Sequence, residues 1–175
     1  MAGLYAATLW LGLPLSLELG GVTAIFGAAG ITASAFIYLV PARPSWNTRF
    51  TISDFFLTGA LLGPLFAVAI GAAQGRLLML IGVAAASALL LNQALRFLWL
   101  NASDSFELQA SARLLSTKLA RPLLLRSALL IVGGFALPLS GSYLARFAAL
   151  PIALAGEILG RYLFYVSVVP KNMAA

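Results

Sequence analysis

LLMLIGVAAASALLLNQALRFLWL, residues 77–100, is the stretch whose reading decides the fold of this chain. After Arg76 no charge follows until Arg96, and the polar side chains before it are Ser87, Asn92 and Gln93. A helix through the stretch rises about 36 Å, against roughly 30 Å of hydrocarbon in a bilayer. The run is continuously apolar rather than alternating, which argues against a strand of a membrane barrel. It reads as a membrane-spanning helix.

The pattern repeats outward from this span. Gln74-Gly75-Arg76 is a tight polar turn, preceded by a third span over residues 55–73 for which Asp54 is the candidate N-cap. Residues 45–54 read as a loop at headgroup level. Pro41-Ala-Arg-Pro44 ends a second span, residues 19–40, because proline lacks an N–H donor and restricts its predecessor. Residues 1–16 are apolar but short and contain Pro14; without a basic leader or a cleavage site they read as a short first span. On the other side, residues 101–121 are the one sizeable polar segment. A fifth span covers 122–144, Arg146 marks a turn, and a sixth covers 147–169 before Pro170-Lys171. The expectation is an all-α polytopic transmembrane helix bundle of about six helices, the first one short, in a single integral membrane domain over residues 1–175.

Composition agrees. The chain is 62% hydrophobic and 9% charged, with a mean hydropathy of +1.00, where soluble domains carry about 25% charged residues. It has no cysteine, which excludes disulfides and thiolate-held zinc or iron–sulfur clusters on this chain. It has no histidine, which excludes a haem held between facing histidines. Eleven Lys and Arg against five Asp and Glu give +6. With six spans, Arg43, Arg49, Arg113, Lys118, Arg121 and Lys171 share one face, with Arg96 and Arg126 near helix ends on that side; Arg76 and Arg146 lie on the other. The positive-inside rule then places the basic face, with both termini, in the cytoplasm. Within 101–121, Leu108, Ala112, Leu115 and Leu119 recur at helical spacing, as in a short helix lying on the membrane face.

Ionisable residues inside a span are candidate functional groups, because burying them is costly. Glu157 and Arg161 lie one turn apart in the last span, spaced for an i,i+4 pair. They make either a structural lock, with Gly156 and Gly160 admitting a neighbouring helix, or a site where Glu157 exchanges a proton and Arg161 keeps it ionised. Asn92 and Arg96, with Gln93, form a second polar cluster that serves interhelical hydrogen bonding or lines a ligand cavity. Gly59 and Gly63 form a GxxxG pair, whose expected role is packing. Trp46, Arg43 and Arg49 on the proline-stiffened loop serve as interfacial anchors or as a docking edge for a soluble partner.

Three strings carry a resemblance: YLVPARPSWNT (38–48), FFLTGALLGPL (55–65) and AGEILGRYLFY (155–165). In order and spacing they resemble the membrane anchor subunit family of dimethyl sulfoxide reductase, from about residue 19 to the end. The resemblance implies an anchor in the bacterial inner membrane that catalyses nothing alone. It would hold a molybdopterin catalytic subunit and an iron–sulfur subunit and exchange electrons with a quinone or quinol, binding no cofactor itself. Sulfite dehydrogenases of the same family run electrons the other way. The face bearing Arg43, Trp46, Arg49, Arg113 and Lys118 would meet the iron–sulfur subunit, and Glu157, Arg161, Asn92 and Arg96 would be the quinone or proton candidates. Family members have about eight helices and a histidine associated with quinol binding that this chain lacks, so the resemblance implies a half-length variant or a fragment. The competing readings are a small proton-coupled transporter and a non-catalytic membrane scaffold.

Overall fold

The computed structural model describes residues 1–11, 16–71 and 74–171. Among them are seven helices and no strand: α1 (Ala2–Trp10), α2 (Ser16–Phe36), α3 (Arg49–Ala69), α4 (Gly75–Ala102), α5 (Phe106–Ser116), α6 (Ala120–Leu139) and α7 (Tyr143–Val166). Five of them, α2, α3, α4, α6 and α7, are long and apolar enough to cross a membrane. The nine-residue α1 stands where the short first span is expected; it rises about 13 Å, less than half a bilayer core. Pro14 and Ala73 lie outside the described residues.

Two helix starts differ from the sequence reading in ways that move functional groups. The helix α3 begins at Arg49, six residues before the expected Phe55. Thr48 is extended (φ −139°, ψ 157°), and the Thr51 hydroxyl donates to the Trp46 carbonyl at 2.6 Å, so the first turn is built there. Asp54 is therefore inside the helix, not at its cap. Similarly α7 begins at Tyr143, and Arg146 lies in its first turn rather than in the connection. Gly141 supplies that connection with a left-handed residue (φ +71°).

With lipid outside, large side chains such as Ile25, Leu124 and Leu144 remain exposed, and association rests on close packing rather than on apolar burial from water. Leu61, Leu65, Ala85, Ala86, Leu89, Leu130, Ala149 and Ala153 form the central core of α3, α4, α6 and α7. A π-helical turn at Val132–Ala136 interrupts α6 at its tightest point. A Cβ on Gly133 would meet the Ala153 backbone nitrogen at 2.6 Å, and one on Gly134 would collide with the Ala86 side chain. Two glycines thus let α6 touch α7 and α4 at one level. The hub is α7, with 39% of its apolar stretch buried, whereas α2 is peripheral at 6%.

At the other end of the core, Leu108, Ala112 and Leu115 of α5 pack on Leu100 and Leu163, with Leu119 alongside. The expected short helix forms, and its apolar stripe packs against the bundle. The expected GxxxG works only in half: a Cβ on Gly59 would contact Ile31 of α2 at 3.2 Å, while Gly63 meets nothing within 4 Å.

Candidate functional site: a buried carboxylate–guanidinium cluster

One guanidinium organises the interior. Arg126, on the second turn of α6, places Nη2 3.5 Å from Asp54 Oδ1 of α3 and 3.5 Å from Glu157 Oε1 of α7. Arg126, Asp54 and Glu157 are 6%, 7% and 4% exposed, so all three charges are withdrawn from solvent and lipid. An isolated buried charge costs several kcal/mol, roughly, and is tolerated only with partners. Each has them. Asn92 of α4 donates to Asp54 Oδ1 (3.3 Å) and to the Phe50 carbonyl (3.2 Å). The Thr58 hydroxyl reaches Glu157 Oε2 and the Asp54 carbonyl (2.7 Å). Four helices are joined through one network.

The local sequence explains the placement. Asp54 and Thr58 are one turn apart on α3, where Asp54 meets Asn92 of α4 and Arg126 of α6 and Thr58 meets Glu157 of α7. Gly160 admits the Arg126 head: a Cβ there would sit 2.6 Å from Nε and 2.7 Å from Cζ. Gly156, one turn earlier, receives Leu129 and Leu130 of α6 in the same way. These two glycines do admit a neighbour, and that neighbour is α6.

The expected Glu157–Arg161 pair is not the one that forms. Glu157 turns toward α3 and α6, and Arg161 lies over the Phe55 ring with Cζ 3.7 Å from the centroid. Asn92 joins the cluster directly. Arg96 does not reach for the interface; Nη2 donates to the Ser45 carbonyl (3.0 Å) and Cζ lies 5.4 Å from the Phe164 ring centroid. Gln93 donates to Ser127 Oγ (2.8 Å), tying α4 to α6. Sequence reasoning missed Arg126, taken as an end charge, Asp54, taken as a cap, and Thr58. The available signal was depth: Arg126 lies within the fifth apolar run, four residues beyond Pro122.

Of the docking candidates, Arg49, Arg113 and Lys118 are exposed and Arg43 is half-buried. Trp46 is not a surface anchor. It is 7% exposed, its ring stacks on Phe164 (5.1 Å, 8°), and Nε1 donates to the Phe164 carbonyl at 2.8 Å. Arg43 covers it at 4.3 Å. The Lys171 N–H donates to the Ala42 carbonyl (3.2 Å), so the Arg43 loop and the C-terminal stretch meet at one end of the bundle.

Two spaces adjoin the cluster. An internal cavity of about 40 Å³ is lined by Asp54, Asn92, Arg96, Arg126 and Ser167, among others. A lateral groove of about 470 Å³ between α3 and α4 is lined by Arg49, Phe50, Leu95 and Trp99, and again by Asn92. Asn92 is a wall of both. Among the described residues no group of His, Cys, Asp or Glu is arranged to hold a metal ion. Comparison of the chain with protein-family models, curated proteins and solved structures finds no match.

Proposed function

We propose that this chain is the membrane anchor subunit of a quinone-linked molybdopterin and iron–sulfur oxidoreductase, docking the iron–sulfur subunit at its basic end. The observation that carries the reading is the Asp54–Arg126–Glu157 cluster inside a membrane bundle, because intramembrane charges of this kind mark proton and substrate paths. The lateral groove at α3 and α4 supports a quinone as the guest. It falls within the roughly 300–1,000 Å³ of small-molecule sites and sets Phe50, Leu95 and Trp99 beside the polar side chains of Asn47, Thr48, Arg49, Ser53 and Asn92, which offer donors to quinone carbonyl oxygens. The internal cavity is too small for a ring. In this reading Glu157 and Arg126 frame the helices that hold the groove, and exposed Arg49, Arg113 and Lys118 meet the partner. The basic end faces the cytoplasm of a bacterial inner membrane.

Purification of the tagged chain in mild detergent tests the proposal. Co-purification of a molybdenum-containing subunit and an iron–sulfur subunit is the expected result. Recovery of the folded chain without either sinks it.

The second reading, a small proton-coupled transporter, draws on the π-helical turn of α6, which begins six residues beyond Arg126 on the same helix, since such turns recur at functional sites. Proton uptake into proteoliposomes holding this chain alone would favour it.

A further inference from the structure

The internal cavity has a chemistry of its own. Asp54, Asn92, Gln93, Arg96, Arg126 and Ser167 give it polar lining on several sides. Water both donates to a carboxylate and accepts from amide and guanidinium N–H groups, and about 40 Å³ exceeds the ~10–15 Å³ that one water requires. Ser167 extends the polar lining toward the C-terminal stretch, whose Lys171 N–H bonds to the Ala42 carbonyl of the Arg43 loop.

We infer that this cavity is a hydrated proton-entry site at the basic end of the bundle, and that Asp54, not Glu157, is the carboxylate that exchanges protons with it. Asp54 lines the cavity and Glu157 does not. The Glu157 carboxylate is held by Thr58 on one side and Arg126 on the other. The charged groups facing Asp54 are Arg126 from α6 and Arg96 from α4, with Glu157 of α7 across the Arg126 head; Arg161 is turned to Phe55. One proton passing from cavity water to the Asp54 carboxylate leaves Arg126 paired with Glu157 alone, and release reverses the exchange. The inference holds whether or not the chain serves a quinone, so partner purification and the experiments below fail independently.

X-ray radiolysis of the full chain in lipid nanodiscs tests the hydration, since hydroxyl radicals arise where water is held. Leu163 and Phe164, each 3% exposed, line the cavity. They are expected to be oxidised several-fold faster than lipid-facing Phe66 and Leu124. Rates no higher than those controls overturn the inference. Infrared difference spectra across a pH step test the carboxylate. In a background carrying Glu18→Gln, Asp104→Asn and Glu107→Gln, which removes the other side-chain carboxylates, a titrating carboxyl band should be lost on adding Asp54→Asn and kept on adding Glu157→Gln. The reverse pattern, or no titrating band in that background, overturns the inference. Should Asp54→Asn fail to fold there, retention of the band with Glu157→Gln still decides between the two carboxylates.

Discussion

Gly160 of α7 lies against the guanidinium of Arg126: a Cβ added there would sit 2.6 Å from Nε. An arginine head ordinarily swings away from such a contact at little cost. Here it is held by Asp54 and Glu157, each at 3.5 Å, so moving it lengthens both pairs. Gly160→Ala is expected to cost about 1–3 kcal/mol. Gly63→Ala, where nothing lies within 4 Å, is expected to be neutral or to stabilise by up to about 1 kcal/mol through helix propensity. Thermal unfolding in detergent compares the two; equal melting shifts would mean that the Gly160 contact is not a constraint.

Arg126→Met should be the most damaging change in the cluster. It leaves two buried carboxylates facing each other, and removing one partner of a buried pair costs about 3–5 kcal/mol. Combined with Asp54→Asn and Glu157→Gln, most of that loss should return, because the three groups act as a unit. A triple variant no more stable than Arg126→Met alone would show that the interaction is not the source.

The two α6 glycines test the close approach. A Cβ on Gly133 meets backbone, the Ala153 nitrogen at 2.6 Å, which no side-chain rotation relieves. Gly133→Ala is therefore expected to exceed Gly160→Ala, at about 3 kcal/mol or more. The same melting series ranks them, and the opposite order would argue that α6 and α7 separate easily.

Trp46 separates packing from docking. Trp46→Phe keeps a ring on Phe164 and removes the Nε1 donor to its carbonyl, at about 1 kcal/mol. Trp46→Ala should cost about 3–5 kcal/mol. Neither is expected to change partner retention per folded molecule.

Partner retention should instead follow the exposed cations. Reversing Arg113 and Lys118 to Glu is expected to leave the melting temperature within about 1 °C, as surface changes do, while lowering recovery of the proposed iron–sulfur partner. Raised salt should weaken recovery in the unsubstituted chain as well. Undiminished pull-down of the double variant would remove these residues from the interface.

Much of the architecture was legible in the chain. Continuous apolar runs predicted the long helices because a backbone in hydrocarbon must satisfy its own hydrogen bonds. Leu108, Ala112 and Leu115 predicted α5 from spacing alone, and Gly156 and Gly160 predicted a close neighbour. The boundary at Arg49 was not legible, since its first turn depends on the Thr51 hydroxyl reaching back to the Trp46 carbonyl. That shift carried Asp54 from a cap to the interior.

What the sequence by itself determined was the class of the molecule, its basic segments and the presence of charges within apolar spans, because these follow from transfer energies and local periodicity. Which charges meet was decided only by tertiary structure. Glu157 and Arg161 share a helix at i,i+4, a pairing worth about 0.3–0.5 kcal/mol when exposed. Yet Glu157 pairs with Arg126, because helix rotation and the gap at Gly160 bring that guanidinium into the buried interior, where a charge left without a partner costs far more than a local pair returns.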